Sequence, residues 1–140
     1  MKKIKIKVGS MEFIAKLETV LAPQTCRSFL KLLPFRKKLI QARWSGESAW
    51  IPLGLIDLDV GNENQISNPA PGELLFYPGG ISEMEILFPY GQTIFACKAG
   101  PLSGNHFLTL IQGNEQLSEL ERLVLWEGAQ SVSFELFEQQ

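Results

Sequence analysis

Histidine occurs once in this sequence, at His106, and cysteine only twice, at Cys26 and Cys97. A lone imidazole excludes any metal site built on three histidines, and the two cysteines lack metal-ligand spacing. They read as buried thiols in a reducing, cytoplasmic setting. No apolar run approaches the roughly 20 residues that cross a bilayer, so no membrane partner is expected. The opening stretch to Val8 is broken by lysine at every second position from Lys3, which is not the pattern of a secretory signal. Thirteen basic side chains stand against 15 acidic ones, and a net charge of -2 leaves no electrostatic footprint for nucleic acid. Neither Gly-x-Gly-x-x-Gly nor a Walker motif is present, and there is no Gly-x-Ser-x-Gly elbow. Asp57 to Glu63 has the acidic alternation of a calcium loop. Its sixth position is Asn62 rather than glycine, and the twelfth is Asn68 rather than glutamate. Neither a metal nor a cofactor is therefore expected.

What the sequence does have is alternation, cut at intervals by turn residues. Its 140 residues are 45% hydrophobic and 20% charged, enough for one domain over residues 1–140 to form a core without a staple. Lys3, Lys5 and Lys7 alternate with Ile4, Ile6 and Val8, which predicts a strand over 2–8 with its lysines outward. Gly9-Ser10 then suits a hairpin turn into a second strand over 11–17. Pro23 opens a helix over 23–33, with Cys26, Phe29, Leu30 and Leu33 on its buried face and Pro34 as its stop. Strands over 37–44 and 48–53 pair about Ser45-Gly46. Residues 54–72 lose all periodicity and read as a long loop of the functional kind, with Pro71-Gly72 at the centre of a type II turn.

Further strands are predicted over 73–77, 83–88, 93–98 and 105–112, the first two stopped by Pro78-Gly79-Gly80 and Pro89-Tyr90-Gly91. A second helix over 115–126 lies between a capping Asn114 and Gly128. The last strand runs over 131–137. Helices and strands do not alternate, so a doubly wound sheet is excluded. The expected fold is mainly β: a closed barrel capped by two α-helices, which buries the sheet edges and both apolar helical stripes.

The richest chemical segment is Arg43-Trp44-Ser45-Gly46-Glu47. An arginine in a mostly apolar strand needs partners. It either grips a carboxylate or phosphate ligand, or pairs internally with Glu47, Glu83 or Glu85. Glu83 and Glu85 share one strand face by period two, as a coupled acid–base pair or as a solvated outer face. Trp44, Trp50, Tyr77 and Tyr90 are aromatics with polar handles near strand ends, suited to wall a pocket or to fill a core. His106 serves either as a general base or as a hydrogen-bonded fastener of its turn.

Ala22-Pro23-Gln24-Thr25-Cys26-Arg27-Ser28-Phe29 and Gly104-Asn105-His106-Phe107 resemble the segments that open the first and last helices of cyclophilins. Arg43-Trp44-Ser45-Gly46-Glu47 and the Tyr77-Pro78-Gly79-Gly80 turn are similar to stretches of small microbial cyclophilin-like proteins of unassigned function. The resemblance covers nearly the whole chain and implies a cyclophilin-like barrel. It places Arg43 where the isomerase arginine of true cyclophilins stands. Trp50-Ile51-Pro52-Leu53-Gly54 replaces their glutamine-containing strand, and Met84-Glu85-Ile86-Leu87-Phe88 replaces their Gln-Phe-Phe stretch. Three functions follow in order of expectation. The first is a pocket for a small anionic ligand, or a minor metabolic enzyme, built from Arg43, Trp44, Glu47, Trp50, Tyr77, Glu85, Tyr90 and His106. The second is a prolyl isomerase or peptide binder. The third is a non-catalytic subunit or homo-oligomer, suggested by apolar loop residues such as Leu53-Gly54-Leu55-Ile56.

Overall fold

Alternation in strands such as Lys2–Val8 gives an apolar face, and closing the sheet on itself buries such faces together without leaving an open edge. A computed structural model, describing residues 2–138, has this closed form. In chain order the elements are β1 (Lys2–Val8), β2 (Met11–Leu17), α1 (Pro23–Leu30), β3 (Phe35–Gln41), β4 (Gly46–Pro52), β5 (Gln65–Ile66), β6 (Glu73–Tyr77) and β7 (Glu85–Thr93). They continue with β8 (Ala96–Cys97), β9 (Gly100–Pro101), β10 (Gly104–Gln112), α2 (Leu117–Trp126) and β11 (Gln130–Glu138). The barrel order is β2-β1-β11-β3-β4-β7-β6-β10, and β10 pairs back onto β2. Every neighbouring pair is antiparallel.

The interior is filled by alternate residues. Ile4, Ile6, Phe13, Leu39, Ile51, Phe76, Phe88, Leu108 and Phe134 are fully enclosed. Helix α1 inserts Phe29, which meets Phe35, Phe107 and Phe134 edge-on at 5.5, 5.0 and 5.5 Å between ring centroids. Such aromatic contacts add to plain burial. Helix α2 buries Leu117, Leu120 and Val124 in the same core. Neither helix is long and apolar enough to cross a membrane.

Several boundaries differ from the sequence expectation. Helix α1 ends at Leu30 rather than 33, because a residue preceding proline is driven out of helical geometry and Pro34 offers no amide. Asn114 is not the cap of α2. A 3-10 turn over Asn114–Gln116 precedes the helix, and the Asn114 amide reaches back to the Leu110 carbonyl. Strand β7 does not stop at Pro89-Tyr90-Gly91 but runs to Thr93. The pairing with β4 shifts register between Gly46 and Ser48, the kind of irregularity that accommodates proline within a sheet. Residues 93–98 are not one long strand: β8 is two residues long and pairs with β9 in a hairpin outside the barrel.

The long loop over 54–72 is pinned rather than free. The Glu63 carboxylate accepts the amides of Thr25, at 2.5 Å, and Gln24, at 3.4 Å, and so caps the start of α1 from a distance. The enclosed Asn105 side chain donates to Thr25 Oγ1 and the Gly61 carbonyl and accepts the Glu63 amide. The type II turn forms where expected: Gly72 has φ +87°, and the Glu73 amide donates to the Ala70 carbonyl at 3.0 Å.

Candidate functional site

Adjacent strands β4 and β7 pair Trp50 with Leu87 and Pro52 with Glu85, so Trp50, Glu85 and Leu87 all face outward from the barrel. This outer face is not open to water. Leu75, Tyr77, Leu87, Phe95 and Leu102 form a second, smaller apolar cluster there, with Trp50, Ile66 and Cys97 packed against it. The segment carrying β8 and β9 covers the cluster. Its anchor is the buried Ser45, whose hydroxyl accepts the Ala96 amide at 3.1 Å and donates to the Ala96 carbonyl at 3.0 Å. The same clasp fixes the short 3-10 turn Arg43–Ser45, and with it Trp44.

Between this cover and the barrel lies a cleft of about 440 Å³. Trp44, Trp50 and Ile81 give it apolar walls, Glu83, Glu85 and Lys98 bring charge, and Cys97 lies beside them. The two indoles meet edge to face at 5.8 Å. Glu85 is only 3% exposed, and its Oε1 has no hydrogen-bond partner. The buried Nε1 of Trp50 also has none. A buried polar atom without a partner is costly, so these two mark where a water or a ligand group beside the cleft would be most stabilising. Burial, aided by the nearby Glu83 charge, pushes the Glu85 carboxyl up to about 8. At neutral pH it is mostly a neutral acid and can donate as well as accept.

Tyr77 holds the third wall. Its hydroxyl accepts the amides of Ile81 and Ser82, at 3.0 and 3.3 Å, and this ties the turn after Pro78-Gly79-Gly80 against the cleft. Four of the residues singled out from sequence thus line the cleft, namely Trp44, Trp50, Glu83 and Glu85, and Tyr77 positions one wall. The rest lie elsewhere. Arg43 is exposed in the 3-10 turn rather than on a strand, and among the described residues it enters no ion pair with Glu47, Glu83 or Glu85. Glu47 accepts the Gln92 amide at 2.8 Å. Tyr90 belongs to the barrel core, where burial raises its hydroxyl above the usual value while Gln41 tempers the shift. His106 Nε2 donates to Thr109 Oγ1 at 2.7 Å, because the threonine proton is already committed to Glu18 at 2.6 Å. That chain joins β10 to the end of β2.

Sequence reasoning missed Ile81, Ser82, Cys97, Lys98 and Ala99. The turn at Gly79-Gly80 was legible, but nothing local says that the 94–103 segment folds back over β4 and β7. Cys97 is half-buried at the cleft rather than enclosed, while Cys26 is enclosed and burial pushes its thiol up to about 12.

The profile of a family described as "Protein of unknown function (DUF3830)" matches residues 4–136. No curated protein matches the sequence. Solved structures that share the fold include the following two. McbB, described in complex with tryptophan, aligns with a TM-score of 0.70 at 16% identity over 94% of this chain. The chain spans 44% of McbB's length. The hypothetical protein AF2241 from Archaeoglobus fulgidus aligns with a TM-score of 0.62 at 20% identity, over 95% of this chain and 92% of its own.

Proposed function

We propose that this chain, which belongs to the DUF3830 family of proteins of unknown function, binds a small, partly apolar organic molecule in the cleft on the outer face of its barrel. The observation that carries the reading is Glu85: a carboxyl enclosed in apolar surroundings, with an oxygen that has no hydrogen-bond partner among the described residues. The indole Nε1 of Trp50 supports it as a second unsatisfied group at the same cleft. Pockets of this kind combine apolar walls with a few convergent polar groups. McbB, of whose length this chain spans 44%, is itself described in complex with tryptophan.

The anionic ligand expected from Arg43 fits this cleft poorly. Arg43 does not line it, and an anion would meet the exposed Glu83 carboxylate at its rim. The free thiols suit a reducing, cytoplasmic setting.

A thermal-shift screen of small organic molecules tests the reading. Occupancy at 100 times Kd stabilises by about 2.7 kcal/mol. Hits should raise the Tm of the wild type and lose their effect in Trp44→Ala, which removes a side chain that is 42% exposed and outside both apolar clusters. Hits that stabilise both proteins equally would place binding elsewhere.

A second reading, a peptide-binding barrel of the cyclophilin-like kind, draws on the neighbouring groove of about 640 Å³. Trp44, Pro69, Pro71 and Ile94 border it, and Ile94 is exposed. A coupled prolyl-peptide assay decides it, since acceleration over the slow uncatalysed rate is easily read. The same exposed residues would serve a homo-oligomer, for which light scattering at high concentration is the check.

A further inference from the structure

We infer that the occupant of the outer cleft is a small aromatic amine, held by Glu85 as its counter-charge and by the Trp44–Trp50 pair as its aromatic wall. The inference rests on the cleft-binding reading above and adds the chemical class of the ligand.

The charges decide between cation, anion and neutral ligand. Glu83, before β7, and Lys98, on the β8–β9 hairpin, are exposed at the rim and carry opposite charges. The groups facing Glu85 from the other elements are uncharged: Trp50 on β4, Tyr77 opposite it on β6, and the Cys97 thiol on β8. The enclosed carboxyl is therefore the one group inside that can become charged, and among the described residues it has no ion-pair partner. An ammonium group brings the missing cation. It also supplies several donors for the unpartnered oxygen. Indole faces attract cations, and the edge-to-face pair offers both an apolar wall and a negative ring face. A carboxylate ligand would gain no charge pairing from Glu85 and would have only the exposed Lys98 as a cation.

Binding then moves a proton. The free protein holds Glu85 mostly as the neutral acid near pH 7, in keeping with its raised value of about 8. An ammonium ion seated against it stabilises the carboxylate, so Glu85 gives its proton to solvent. The neutral acid and the ammonium ion become an ion pair, and one proton is released.

Titration calorimetry at pH 7 with three ligands of one shape tests this: 2-phenylethylamine, 2-phenylethanol and 3-phenylpropanoate. Each is run in two buffers of different ionisation enthalpy, on wild type and on Glu85→Gln. The amine should bind tightest, with release approaching one proton. Glu85→Gln should abolish the release and weaken the amine by at least about tenfold, as loss of a charge-assisted bond does. It should leave 2-phenylethanol nearly unchanged. If the alcohol or the carboxylate binds as well as the amine, or the amine binds without proton release, the amine assignment falls and the cleft reading stands. If none of the three binds the wild type, both fall. The two-buffer comparison on wild type needs no variant, so a folding defect in Glu85→Gln leaves the test intact.

Discussion

Trp50 and Glu85 stand on the same outer face of neighbouring strands, and each brings to one cleft a buried polar atom without a partner, the indole Nε1 and the carboxyl Oε1. Each forfeits hydrogen bonds that water would have supplied. Ser48 Oγ and the Tyr90 hydroxyl, on the same two strands, are also without partners, but neither residue lines this cleft.

The buried carboxyl makes stability depend on pH in a definite direction. Glu85 titrates near 8 in the folded protein and near its ordinary value of 4.5 when unfolded. Between these values the folded state keeps a proton that the unfolded state has lost. Raising the pH through this window therefore favours unfolding, by on the order of 1.4 kcal/mol per pH unit. Below about 4.5 both states are protonated and the effect vanishes. Urea unfolding of wild type and Glu85→Gln at pH 5 and pH 9 should show the wild type losing more stability at the higher pH. Parallel losses in the two proteins would mean that Glu85 is not buried as an acid.

Arg43→Ala should change stability by no more than about 0.5 kcal/mol, the usual range for an exposed side chain outside any ion pair. Denaturant midpoints read this directly. A loss of several kcal/mol would reveal a partner for the guanidinium and restore the expectation of a structural arginine.

The barrel was legible because strand alternation is a local signal. Ile4, Ile6 and Val8 against Lys3, Lys5 and Lys7 declare one strand with one buried face, and the last strand repeats the pattern with Val132 and Phe134. The site was only half legible for the same reason. Period two places Glu85 on the face away from Ile86 and Phe88, but it does not say whether that face meets water. The answer lies in Phe95 and Leu102, which come back over β4 and β7 from a segment whose alternation resembles one more strand. Arg43 shows the converse. Its alternation with Ile40 and Ala42 continued the strand on paper, whereas the chain turns after Gln41 under the Ser45–Ala96 clasp.

Asn105→Ala should cost about 2–4 kcal/mol, because it strips one fully enclosed side chain of three hydrogen bonds and orphans their partners. Amide exchange should accelerate at Glu63 and Thr25 ahead of the barrel strands. Unchanged exchange there would mean that the long loop has another anchor.

The central claim, that the outer cleft is where this protein binds, has its most direct test in the three indole N–H signals of a proton–nitrogen correlation spectrum. Trp44 and Trp50 line the cleft, while Trp126 sits 80% exposed at the end of α2. On addition of 2-phenylethylamine the Trp44 and Trp50 signals should move together along one saturable curve, with Trp126 fixed. A spectrum in which only Trp126 moves, or in which all three stay still to saturation of the probe, would contradict the account.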